Sequence, residues 1–237
     1  MRKMMSIYQK EMKTFFVSPV AYTISCIFLI IAGYIFAVII FYTKEANLHV
    51  LFANLRFVLL LIAPILTMRL LAEEKKLGTD ELLYTSPLTN YEIILGKYFA
   101  TVTLYLIMLI FTLEFPIFLK IYGDPDMGPI YSGYLGLFLF GSAFISLGLF
   151  TSSITENQII AAITSFGLLL MLWLISWATT FIPVEWLQDI FKSLSVTEHF
   201  NNFEKGIIDL GDVFYYLSFS FVFIFLTNQV TEAKRWK

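Results

Sequence analysis

Over most of this chain the apolar residues follow neither a helical nor a strand period; they run on for about twenty positions at a time. Six such runs stand out, at 21–42, 48–68, 98–119, 131–154, 159–181 and 213–230. The hydrocarbon core of a bilayer is about 30 Å thick and takes roughly 20 apolar residues as a helix. Each run therefore predicts a membrane-spanning helix, because only helices and closed barrels satisfy their own backbone in lipid. The chain reads as an all-α polytopic membrane protein with six spans. These cover more than half of its 237 residues, so 1–237 is predicted to be a single transmembrane domain. The first run exceeds the roughly 7–15-residue apolar core of a signal peptide and follows an amphipathic stretch, which predicts a retained helix.

The segments between the runs carry their own patterns. In 1–19, Met5, Tyr8, Met12 and Phe15 fall at helical spacing, with Lys10, Glu11 and Lys13 away from that stripe. This predicts an amphipathic helix lying in the membrane interface, ended by Ser18 and Pro19. In 69–97, Gly78 follows Lys75 and Lys76, a helix C-terminus with its dipole matched. Thr79 is a good N-cap, with Asp80 and Glu81 in the next first turn and Pro87 as the stop. Thr89 and Glu92 form a capping box that opens the helix leading into the third span. The element predicted is helix, break, short helix, break, helix. Leu82 and Leu83 then sit on a short protruding helix and suggest a docking surface, unless they pack back on the chain itself. Residues 151–158 predict a tight polar hairpin, flanked by Ser142, Ser146, Gly148, Ser152, Ala161 and Ser165 at small-residue spacings suited to close helix packing. Residues 182–212 are long for a loop and too apolar to be solvated, and each of their two apolar pieces is too short to span. Trp186, Leu187, Ile190, Phe191 and Leu194, then Phe200, Phe203, Ile207 and Ile208, predict two short re-entrant or interfacial helices.

Composition sharpens this reading. Apolar residues make up 58% of the chain and charged residues 14%, where a soluble domain carries about 25%. Sixteen Lys and Arg against eighteen Asp and Glu give a net charge of -2, without the clustered basic surface that nucleic-acid binding requires. The distribution of the cations sets the orientation. The side holding both termini carries Arg2, Lys3, Lys10, Lys13, Arg69, Lys75, Lys76, Lys97, Lys234, Arg235 and Lys237. The other side carries only Lys44, Arg56, Lys120, Lys192 and Lys205. Both termini and the 69–97 loop are therefore expected in the cytosol, and the 182–212 segment outside.

Candidate chemistry within the spans is sparse. Arg56 and Glu114 are the ionisable groups well inside apolar runs, both toward the outer leaflet. They read as a polar pair lining a substrate route, or as snorkelling or packing residues. Cys26 lies in an apolar run and reads as a small packed hydrophobe. The two histidines, His49 and His199, are both expected outside. No metal ligand set, nucleophile elbow or phosphate-binding glycine loop is present: Gly96 and Lys97 lack the upstream glycine and a following Ser or Thr. The chain is not expected to be an enzyme and needs no cofactor of its own.

The run 72–97, AEEKKLGTDELLYTSPLTNYEIILGK, resembles the signature cytosolic loop of type-2 ABC exporter permeases. GLFTSSITENQIIAA at 148–162 is similar to that family's turn between spans four and five, and KEMKTFFVSPVAY at 10–22 and EHFNNFEKGIID at 198–209 resemble it too. The likeness is greatest to the small bacterial subfamily of gliding-motility and nitrous-oxide-operon permeases. It implies a permease in a bacterial inner membrane, paired with a second permease chain, the same or paralogous. Two cytosolic ATPase subunits, which carry the MgATP, would dock below. It also implies that Glu73, Glu74, Gly78, Thr79, Glu81 and Leu82, with the neighbouring Leu83, lie at the ATPase contact. Two other readings remain open: an ATPase-linked membrane anchor that does mechanical or signalling work without transport, and an ATP-independent carrier or channel.

Overall fold

The chain is described by a computed structural model covering residues 2–44, 46–79, 88–178 and 185–235. The described residues are helical with no strand, and six helices are long and apolar enough to cross a membrane. Helix α1 (Arg2–Val17) is followed by α2 (Pro19–Thr43), α3 (His49–Thr67) and the short α4 (Ala72–Lys76). Then come α5 (Asn90–Thr112), α6 (Glu114–Tyr122), α7 (Met127–Ile154) and α8 (Gln158–Ala178). Short α9 (Glu185–Leu194), a 3-10 turn (Glu198–Phe200) and α10 (Asn201–Glu204) lead to α11 (Leu210–Arg235). The six crossings are made by α2, α3, α5 with α6, α7, α8 and α11.

The axial helix is α7. In its most apolar stretch 83% of residues are buried, against 17% for α8 and 22% for α2. It packs against α3, α5, α8, α10 and α11. Small residues make this possible. A Cβ added at Gly136 would lie 2.7 Å from the Phe203 ring, and one at Gly148 would collide with the Thr67 side chain. In a bilayer such close approach replaces the hydrophobic drive that lipid does not supply between helices.

Local rules set the helix ends. Ser18 caps α2 with Pro19 at its first position, and its hydroxyl accepts from Val20 N at 3.3 Å. Thr89 and Glu92 form a complete capping box at α5. The third span is not one helix as the apolar run suggests: it breaks at Leu113. Pro116 has no N–H to offer the carbonyl of Thr112, and the Tyr134 hydroxyl donates to that carbonyl instead, at 2.8 Å.

Helix α1 lies along the first turns of α5. Its buried face differs from the expected stripe. Ile7 and Glu11 are buried, while Met5 is half exposed. The crossing point is Gly96, where an added Cβ would lie 2.8 Å from the Ile7 side chain. Glu11, expected away from the buried side, therefore faces α5.

Candidate functional site

The richest polar constellation gathers at the end of the bundle where α1, α4, the start of α5 and the end of α7 meet. It is built on α4. Gly78 takes φ +67°, Gly78 N donates to Lys75 O at 3.1 Å and Thr79 N to Glu74 O at 3.0 Å. This is a Schellman cap, the break expected at that glycine. On its α7 side, α4 is held by Ser152. The Ser152 hydroxyl accepts from Leu71 N at 3.1 Å and Ala72 N at 3.0 Å, and donates to Met68 O at 3.1 Å. One hydroxyl thus uses its single proton and both lone pairs on the α3–α4 corner. The ammonium of Lys75 donates to Ser153 O beside it.

On its other side, α4 joins a buried charge cluster. Lys97 of α5 is 1% exposed, and its Nζ lies 2.8 Å from Glu11 Oε1 of α1 and 2.9 Å from Glu74 Oε1 of α4. Lys10 of α1 reaches the same Glu74 oxygen at 3.0 Å. Two cations and two carboxylates thereby form a neutral quartet across three helices. Burial lowers the pKa of Lys10, but its hydrogen bond to Glu74 and the charges of Glu74 and Glu11 outweigh it, and the net direction is up. Next to the quartet, Arg69 Nε donates to Glu73 Oε2 at 3.0 Å and its Nη1 to Ser18 Oγ at 3.4 Å, which brings the start of α2 into contact. A cavity of about 260 Å³ lies among these groups.

The predicted partner-facing residues divide three ways. Glu73 and Glu74 are half-buried and spend their carboxylates on Arg69, Lys97 and Lys10. Gly78 and Thr79 are exposed, as is Leu77 at 66%. Glu81, Leu82 and Leu83 lie outside the described residues, as does the short helix expected to carry them. Lys10, Glu11 and Lys97 were not expected in this site. Their signal was the dipeptide Gly96–Lys97, a residue without a side chain next to a cation at the head of an apolar run.

At the opposite end, Arg56 does not pair with Glu114. Its Nη2 lies 2.6 Å from Glu204 Oε1 of α10, and its guanidinium sits 4.3 Å from the Phe200 ring centroid. Glu114 is exposed in the first turn of α6, at the break in the third span. The expected intramembrane pair is thus replaced by one between a span and the short helices after α9. Burial raises the pKa of Glu204, and the opposing charge of Arg56 does not reverse it. The pair fixes geometry more than it adds stability, since desolvation offsets much of the Coulomb gain. Nearby, Asp212 holds His199 at 2.6 Å and Asn202 at 2.8 Å, and Ser132 Oγ donates to Phe203 O at 2.6 Å.

A family model described as ABC-2 family transporter protein matches residues 43–230. The chain belongs to that family. It is accordingly a multi-pass membrane protein and the permease subunit of an ABC transporter, and the family implies an ABC ATPase as partner. The match takes in everything from the end of α2 to most of α11. It contains Glu74, Lys97 and Ser152, but the α1 half of the quartet, Lys10 and Glu11, lies before it. No curated protein matches the chain.

Proposed function

We propose that this ABC-2 permease works in an exporter, with both termini in the cytosol of a bacterium, and that the segment following α4 receives the stroke of a separate ATPase. The observation that carries this reading is the quartet centred on Lys97. It joins α4 to α1 and α5, while Ser152 joins the same helix to α7. A displacement of α4 therefore reaches three other helices through charged or fully satisfied polar contacts. Residues 80–87 run between two capped helix ends, the Schellman cap at Gly78 and the capping box at Thr89. Glu81, Leu82 and Leu83 would meet the ATPase there, beside the exposed Leu77, Gly78 and Thr79. Glu73 and Glu74 would support that surface from behind. MgATP belongs to the partner, whose closure on nucleotide would push the linked helices as near-rigid bodies. A second permease chain completes the assembly, and gliding-motility and nitrous-oxide-operon systems are the proposed setting.

The test is a Leu82→Asp, Leu83→Asp double variant purified with its ATPase from the native membrane. The expected result is loss of the ATPase with normal membrane insertion. Undiminished co-purification would overturn the docking assignment. Vectorial, ATP-dependent movement of cargo in reconstituted vesicles tests export itself.

A further inference from the structure

We propose that His199 acts as an imidazolium latch tying the end of α9 to the start of α11, and that this latch opens as the pH rises. The last carbonyls of α9 have no donor within the helix. Tyr215 OH donates to Leu194 O at 2.8 Å and Tyr216 OH to Val196 O at 2.7 Å, both from α11. The carbonyl of Ser193 has His199 Nε2 at 3.2 Å, and the other ring nitrogen, Nδ1, lies 2.6 Å from Asp212 Oδ1. A carbonyl and an ionised carboxylate only accept. A neutral imidazole has one N–H and satisfies one of them; the cation donates to both.

Three surrounding features favour the cation. The Tyr215 ring stacks on His199 with centroids 3.9 Å apart and planes at 22°, and an aromatic face attracts a cation. The end of the ten-residue α9 presents the negative end of its dipole. Asp212 is 5% exposed, and this buried carboxylate, held by His199 and Asn202, favours a positive charge on the ring beside it. The other charged groups on the surrounding elements are Glu198 on the same turn, Glu204 on α10, already paired with Arg56, Lys205 and Asp209 in the link to α11, and Glu185, Asp189 and Lys192 on α9; α7 carries none, and Glu232, Lys234 and Arg235 belong to the far end of α11. The titratable phenols nearby are Tyr215 and Tyr216 of α11 and Tyr131 and Tyr134 of α7. Of all these side-chain types, imidazole is the one whose unperturbed charge changes between about pH 5 and 8. Loss of its proton removes one of the three side-chain ties on the carbonyls of 193–196 and leaves the two tyrosine ties in place. The latch therefore loosens the segment without releasing it. In the orientation proposed above the segment faces the cell exterior, but the chemistry does not depend on that reading.

The experiment uses the full chain in lipid nanodiscs and reads the ring directly. With 15N-labelled histidine there are two ring systems, His49 and His199, and His199→Gln identifies the second. At about pH 6 both nitrogens of His199 are expected to be protonated. A neutral tautomer there would overturn the proposal. Hydrogen exchange over 185–200, corrected for intrinsic rates, gives the mechanical readout. Opening is expected to rise roughly tenfold between about pH 6 and pH 8.5, the equivalent of one charged hydrogen bond. In Asp212→Asn the amide donates to neutral Nδ1 while Nε2–H keeps Ser193, so the rise should vanish; in His199→Gln it should vanish as well. A rise of equal size in these variants, or none in the native protein, would sink the latch. Neither measurement uses transport or the ATPase, so failure of the permease reading would leave a distinct signature.

Discussion

The ammonium of Lys97 lies 2.8 Å from the carboxylate of Glu11, a residue 86 positions earlier in the chain. The contact joins α1, which precedes the spans, to the head of the third span. Lys97 is almost wholly shielded from solvent, so its charge is tolerable only while Glu11 and Glu74 both face it.

Replacing Lys97 with Met leaves two carboxylates crowded against one remaining lysine. A loss of about 3–5 kcal/mol is expected from breaking a buried pair on one side. Thermal unfolding in detergent checks the size. Adding Glu11→Leu should cost much less than the two single changes summed, with a coupling of about 1–3 kcal/mol. Simple additivity would mean that the quartet is not a unit.

Ser152→Ala strips the main-chain N–H groups of Leu71 and Ala72 of their acceptor in a buried corner. The expected penalty is about 1–3 kcal/mol in stability. Faster hydrogen exchange should be confined to 68–76. If those amides exchange as before, Ser152 does not hold α4.

A methyl at position 148 has nowhere to go but into Thr67. Gly148→Ala should destabilise by about 1–3 kcal/mol through forced separation of α3 and α7. Thr67→Ala, which removes the obstructing hydroxyl and methyl, should recover part of that loss in the double variant. Melting temperatures of the three proteins decide the matter.

Glu204, which pairs with Arg56, and Glu114, which the sequence suggests in its place, should behave differently. Glu204→Gln removes the carboxylate from a buried guanidinium and should cost about 3–5 kcal/mol. Glu114→Gln, at an exposed helix start, should stay within about 0.5 kcal/mol. Equal effects would reinstate Glu114 as the partner.

What could be read from the sequence follows from how local each rule is. The break at Gly78 and the box at Thr89 and Glu92 are decided within one helical turn, and both stand as written in the residues. The six crossings follow from run length alone, because lipid permits few alternatives. Arg56 was matched to Glu114 because both lie inside apolar runs. Its actual partner, Glu204, comes from a connecting segment that folds back against the spans, and run counting does not see such a residue. Glu11 was misread for a related cause. The docked face is rotated from the apolar stripe so that Ile7 meets Gly96, a residue on a distant segment, and this turns Glu11 inward. The break at Leu113 lies inside an apolar run long enough to read as one helix; its local signals are Glu114, the next residue, and Pro116, three residues on.

That interruption has a mechanical meaning. Within hydrocarbon, a carbonyl deprived of its donor costs several kcal/mol, which ordinarily keeps a transmembrane rod straight. Here the phenol of Tyr134 already occupies the oxygen abandoned by Pro116. Tilting the last two turns of the third crossing consequently exposes no bare oxygen to lipid, and the hydroxyl on the axial helix serves as the pin of a pivot.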